Sequence, residues 1–204
     1  MGRATNFLVL ASVAASAYSW SYNENIAFSL RALLLGKYAS LITALFAHAS
    51  IAHLAGNMLF LLIFGGFVEK TLGKIRLLAA FFIGGIASFI LSIPFYPNSE
   101  MLGASAAIFT LAAIAMLTKP LSFSIVFFVP IGVAALAFFM FNVLAIAEGV
   151  VSNTAYVAHV IGFLIGMAIG ARWIKTWKEN LAKTIFALIA YVVIINAIIA
   201  FFLG

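Results

Sequence analysis

A chain of 204 residues that is 66% hydrophobic and only 8% charged, with a mean hydropathy of +1.24, is not a water-soluble globular domain, which carries about a quarter charged residues. Its net charge of +6 would suit nucleic acid in a soluble protein, but here the basic residues form short clusters between long apolar runs and report topology instead. With 0 Cys, neither disulfides nor thiol chemistry is open to it.

The uncharged runs 4–23, 38–68, 77–99, 101–118, 120–147, 149–171 and 184–204 predict seven spans, because a spanning helix needs about 20 apolar residues. Residues 1–20 also have the make-up of a signal peptide, with Arg3, an apolar stretch and small residues around Ala15, Ser16 and Ala17. The run 38–68 is too long for one helix. Residues 26–47 are therefore expected as an amphipathic segment at the membrane surface, followed by a helix from about Ile51 to Val68.

The fourth helix should run from Ser105 to Thr118. Its 14 residues cover about 21 Å at a rise of 1.5 Å each, less than the roughly 30 Å hydrocarbon core. Ser105 should then lie below the outer surface, and Pro97 to Ala104 should dip in as non-helical backbone, which survives at depth only inside protein or beside water. The fifth span, about 122–146, is rich in Phe and lacks tight small-residue spacing, which makes it a candidate moving helix. A last helix is expected at about 182–203.

With a cytoplasmic N-terminus, that side collects Arg3, Lys70, Lys74, Arg76, Lys119, Arg172, Lys175, Lys178 and Lys183, nine of the 11 basic residues. The positive-inside rule then places the C-terminus outside. The chain reads as one polytopic membrane domain over 1–204, and its small size suggests a prokaryotic plasma membrane.

Imidazoles and carboxamides inside a membrane helix are functional candidates by default, because they are costly unless paired or wet. His53 and Asn57 are four residues apart and share a helix face, whereas His48 points elsewhere. His159 shares a stripe with Gly162, Gly166 and Gly170, small residues that let a neighbouring backbone come close. By depth, His53, Asn57, His159 and Ser105 lie at similar levels under the outer face. Asn142 and Asn196 are read as bonding only within the bundle.

A serine hydroxyl needs a base to take its proton, and His159 is the base at that depth. The chain has no Asp, and its five Glu lie at loop positions, so a Ser-His dyad remains where a carboxylate would usually orient the imidazole. Phe109, one turn after Ser105, is placed to pack on the ring. His53, Asn57 and the Ser105 backbone N–H can supply oxyanion donors. A zinc triad of His48, His53 and His159 fits poorly, since His48 and His53 do not share a face and no carboxylate is near. A proton-coupled transporter would be expected to break its helices near the midplane rather than near one face.

The sequences His48-x4-His53-x3-Asn57, Gly65-x3-Glu69-x3-Gly73, Gly103-Ala-Ser105 and Ala158-His159-x2-Gly162-x3-Gly166 resemble the rhomboid protease motifs, in the family's order. The resemblance implies an all-α membrane protein, a rhomboid-like six-helix bundle (core about 1–175) plus one extra C-terminal transmembrane helix. It implies an intramembrane serine endopeptidase that cuts the transmembrane segments of single-span substrates near their outer ends, without metal or other cofactor. Ser105 would be the nucleophile, His159 the base, and His53 and Asn57 the oxyanion donors. His48, Gly103, Gly162 and Gly166 would be structural, and Glu69 would hold the second cytoplasmic turn together. The chain departs from the family in having Ala106 where Gly usually follows the nucleophile, and Phe109 where bacterial members often have Tyr. It also lacks a Trp-Arg pair in the first outer loop, where Arg31 is a weak substitute. The alternative reading is a proteolytically inactive rhomboid-like protein that binds transmembrane clients.

Overall fold

A computed structural model describes residues 2–22, 26–150 and 154–203. In chain order the elements are α1 (Arg3–Tyr22), α2 (Leu30–Leu34), α3 (Ser40–Thr43), α4 (Ile51–Phe60), α5 (Gly66–Leu72), α6 (Lys74–Ser92), α7 (Ser105–Thr118), β1 (Phe123–Ser124), β2 (Val129–Pro130), α8 (Ile131–Ala147), α9 (Tyr156–Trp173) and α10 (Trp177–Leu203). A π-helical turn, Leu61–Gly65, joins α4 to α5, so the two form one rod over Ile51–Leu72. Each apolar run thus carries one long helical rod. Where seven spans were expected, four of the rods among the described residues are by length and composition able to cross a membrane, Ile51–Leu72, Lys74–Phe95, Tyr156–Trp173 and Trp177–Phe202, while Ser105–Thr118 and Ile131–Ala147 are shorter apolar helices.

The protein is an all-α membrane bundle with α7 at its centre. From Ala106 to Leu117 every residue of α7 except Phe109 is buried, as expected of a helix apolar all round. It packs most extensively on α9 and then on α6. The glycine stripe of α9 makes this possible: a Cβ on Gly162 would overlap the Ala106 carbonyl oxygen, and one on Gly166 would overlap that of Thr110. On the other side Gly84 of α6 admits Thr110, whose hydroxyl donates to the Gly162 carbonyl at 2.8 Å and so ties α7 to α9. Close backbone approach through small residues is how helices associate in lipid, where no hydrophobic drive separates helix from solvent.

The segment expected at the membrane surface, 26–47, is partly sunk into the protein. Phe28, Ala44 and Leu45 are fully buried, Phe28 stacks on Phe89 at 5.5 Å, and Phe28 and Met101 exchange backbone hydrogen bonds of 2.8 and 2.7 Å. This pairing, with the Trp20 indole donating to the His48 carbonyl at 2.8 Å, anchors the segment 26–50 between α1 and α4, which has no Trp-Arg pair. Between α6 and α7 the chain is non-helical after a 3-10 turn at Ile93–Phe95, and Met101, Gly103 and Ala104 are buried, as the short fourth helix requires.

Three boundaries or roles differ from expectation. The fifth helix begins at Ile131, because Pro120 and Pro130 bracket a small antiparallel hairpin, Phe123 opposite Pro130 and Ser124 opposite Val129. The last helix begins at Trp177, since Asn180 on its first turns donates to the Leu117 and Thr118 carbonyls at 2.7 and 3.1 Å and satisfies groups that the C-terminus of α7 leaves open. Glu69 does not close its own turn with its side chain. Its carboxylate accepts from Ala4 N, Thr5 N and Thr5 Oγ1 at 3.0, 2.8 and 2.6 Å, capping α1, where free N–H groups and the helix dipole favour an anion.

Candidate active site

Gly103 sets the site's geometry. Its φ of +113° is open to glycine and strained for other residues, and it turns the chain from the buried loop into α7 so that Ser105 is the first helical residue. Its Cα also faces the His53 imidazole, with which a Cβ would collide at 2.9 Å. Its N–H donates to the Ala44 carbonyl at 2.8 Å.

Ser105 Oγ and His159 Nε2 lie 2.8 Å apart. The Phe109 ring stacks on the imidazole with centroids 4.7 Å apart and an interplanar angle of 9°. Packing is not the ring's only restraint. Asn142 of α8, expected to bond only within the bundle, is buried and faces His159, with Oδ1 2.8 Å from Nδ1. Its Nδ2 donates to the Phe138 carbonyl at 2.7 Å.

His53 and Asn57 lie one helical turn apart on α4 and line the same cavity as Ser105 and His159, a space of about 960 Å³ that also reaches Ser50, Ser99 and Thr154. The Ala49 N–H donates to His53 Nδ1 at 3.4 Å, an arrangement that puts the ring proton on Nε2 and makes that atom a donor. Asn57 Nδ2 gives one N–H to the His53 carbonyl at 3.0 Å and keeps a second.

His48 does not line the cavity, but it is not remote from His53 as the spacing implied: the two rings meet edge to face with centroids 5.0 Å apart. His48 is 2% exposed, with Nδ1 3.1 Å from both Ser16 Oγ and the Phe46 carbonyl, and Nε2 accepts from Ala104 N at 3.5 Å. It thereby links α1 to the residue just before Ser105, a structural position. Ala106 is 2% exposed, and its carbonyl lies over Gly162 in the α7–α9 contact.

The Rhomboid domain family model matches residues 35–176. The chain belongs to the rhomboid family. Among curated rhomboids it is similar to RHOMBOID-like protein 6, mitochondrial, of Arabidopsis thaliana, with 35% identity over 130 residues, 64% of this chain and 42% of that protein. Rhomboid-like protein 11, chloroplastic, of the same plant is 39% identical over 79 residues, 38% of this chain and 28% of the relative. RHOMBOID-like protein 2 is 30% identical over 130 residues, 64% of this chain and 40% of the relative. The matched region thus spans less than half the length of these rhomboids.

Proposed function

We propose that this rhomboid is an intramembrane serine endopeptidase that cleaves the transmembrane segments of other proteins. The observation that carries the reading is the 2.8 Å contact between Ser105 Oγ and His159 Nε2 at the wall of a cavity large enough for an extended peptide. On this reading His159 takes the Ser105 proton as Oγ attacks the scissile carbonyl carbon. Negative charge then develops on the carbonyl oxygen, where the His53 Nε2–H, the Asn57 amide and the Ser105 backbone N–H are its donors, each worth several kcal/mol in such sites. His159 returns the proton to the leaving amine, and the acyl-enzyme on Ser105 is hydrolysed by a water that His159 deprotonates in turn.

Depth supports an outer-face cut. Ser105 begins a helix of 14 residues, and the polar residues at the cavity mouth, Ser50, Ser99 and Thr154, give water a route to the acyl-enzyme. The distribution of Lys and Arg supports a cytoplasmic N-terminus and an external C-terminus. The relatives whose names give a compartment are organellar, so the small size of the chain carries no weight for location, and the proposal is confined to orientation.

The test is cleavage of a labelled single-span substrate by the purified chain in liposomes, beside Ser105→Ala and His159→Ala. Cleavage lost in both and indifferent to chelator is the expected result. No cleavage of several substrates, together with no labelling of Ser105 by a fluorophosphonate, would replace the reading with that of an inactive rhomboid-like protein that binds clients.

A further inference from the structure

An amide oxygen carries no proton, so the 2.8 Å contact between Asn142 Oδ1 and His159 Nδ1 is a hydrogen bond only if Nδ1 is the donor. The orientation of the amide is set independently, because Nδ2 is engaged with the Phe138 carbonyl at 2.7 Å. With the proton on Nδ1, the neutral ring has its lone pair on Nε2, facing Ser105 Oγ at 2.8 Å. Opposite edges of one imidazole are therefore bound by groups from α7 and α8, and its face is covered by Phe109.

We propose that Asn142 is a positioning residue for His159: it selects the tautomer that can accept the Ser105 proton, holds the ring in line with Oγ, and gives the imidazolium a hydrogen-bonded partner once Nε2 is protonated. The sequence holds no Asp, and its Glu residues, Glu24, Glu69, Glu100, Glu148 and Glu179, all stand outside the apolar runs, so a carboxamide does what a carboxylate does in other serine hydrolases. A neutral oxygen suits this site, since Asn142 is 4% exposed and an uncompensated buried carboxylate would be costly. Cysteine proteases of the Cys-His-Asn type use a carboxamide in the same relation to the imidazole.

This inference rests on the protease reading for its effect on rate but not for its effect on the ring, so the experiment reads both. The full chain, labelled with nitrogen-15 histidine in liposomes, is compared by imidazole nitrogen spectroscopy and by cleavage kinetics with Asn142→Leu, which has a similar volume and no acceptor, and Asn142→Asp, which retains an oxygen. The wild-type His159 signal should report a proton on Nδ1, and Asn142→Leu should lose that signature. In the same variant kcat should fall about ten- to a hundredfold with KM unchanged within about twofold, the pattern of an interaction made in the transition state. Asn142→Asp should recover at least about a third of the wild-type kcat, on the ground that an acceptor remains. A wild-type spectrum with the proton on Nε2, or kcat in Asn142→Leu within about twofold of wild type, overturns the proposal. An inert wild type with the expected tautomer would sink the protease reading and leave Asn142 as the ring's partner.

Discussion

Replacing Gly162 by Ala tests whether the chemistry depends on how closely α9 approaches α7. A Cβ at this position would overlap the Ala106 carbonyl oxygen and stand 3.0 Å from the carbonyl carbon and 3.2 Å from Ser88 Oγ. Non-bonded carbons pack at about 3.5–4.0 Å, and two of the three obstructing atoms belong to backbone that cannot rotate away, so α9 must retreat by about 1 Å. His159 lies three residues before Gly162 on the same face and retreats with it. A 2.8 Å contact to Ser105 Oγ lengthened by about 1 Å is no longer a hydrogen bond. Misplacement on that scale can cost about a hundredfold in rate. The Thr110 to Gly162 bond of 2.8 Å is strained by the same movement, and overpacking of this kind costs about 1–3 kcal/mol. The assay is liposome cleavage with parallel thermal unfolding. Gly162→Ala should lose about two orders of magnitude in kcat/KM while remaining folded. Cleavage within about threefold of wild type would show that the helices part without moving the base, and the argument from close approach would fail.

Other expectations concern stability and access. Glu69→Ala removes the carboxylate that caps α1 and should cost about 1 kcal/mol by thermal unfolding, with cleavage of pre-inserted protein little changed, because Glu69 is remote from Ser105. Phe138→Ala removes contacts to Phe60 at 4.7 Å and Phe127 at 5.5 Å, the rings that bridge α8 to α4 and the hairpin. Aromatic pairs are worth about 0.5–1.5 kcal/mol each, so losing both should let a gate between these helices open about five- to 150-fold more often, and cleavage of a bulky segment should rise accordingly. A fall in rate with no change in unfolding would instead give α8 a role other than gating. Gly103→Ala forces a side chain onto a φ of +113° and into the His53 ring. It should abolish cleavage and lower stability by about 1–3 kcal/mol, measured by unfolding in the same liposomes.

The helices were legible because charge is rare: each run between clusters became one rod, and the deficit in length from Ser105 to Thr118 foretold the buried loop before it. The family motifs brought Ser105, His159, His53 and Asn57 to one cavity. Asn142 escaped because it belongs to none of the motifs, and its partner lies on another helix, 17 residues on. The depth argument applied to His53 and Asn57 would have reached it, since it stands six residues before Glu148, near the C-terminal end of α8. Glu69 was given its own turn by the family resemblance, whereas its carboxylate oxygens accept from a helix start 65 residues earlier. The hairpin at 123–130 was hidden in an uncharged run, where its two flanking prolines were the available signal.

The short central helix has one consequence for where a peptide would be cut. Ser105 stands at one end of α7, and the opposite end is clasped by the Asn180 carboxamide of α10 at the Leu117 and Thr118 carbonyls. On the proposed reading, the level of the Ser105 hydroxyl is therefore gauged from the opposite end of α7, by a strut about 21 Å long whose foot rests on α10. Lengthening α7 by one turn would lift the hydroxyl by about 5.4 Å without altering a residue that touches the peptide, and trimming α10 would loosen the datum from which that level is measured.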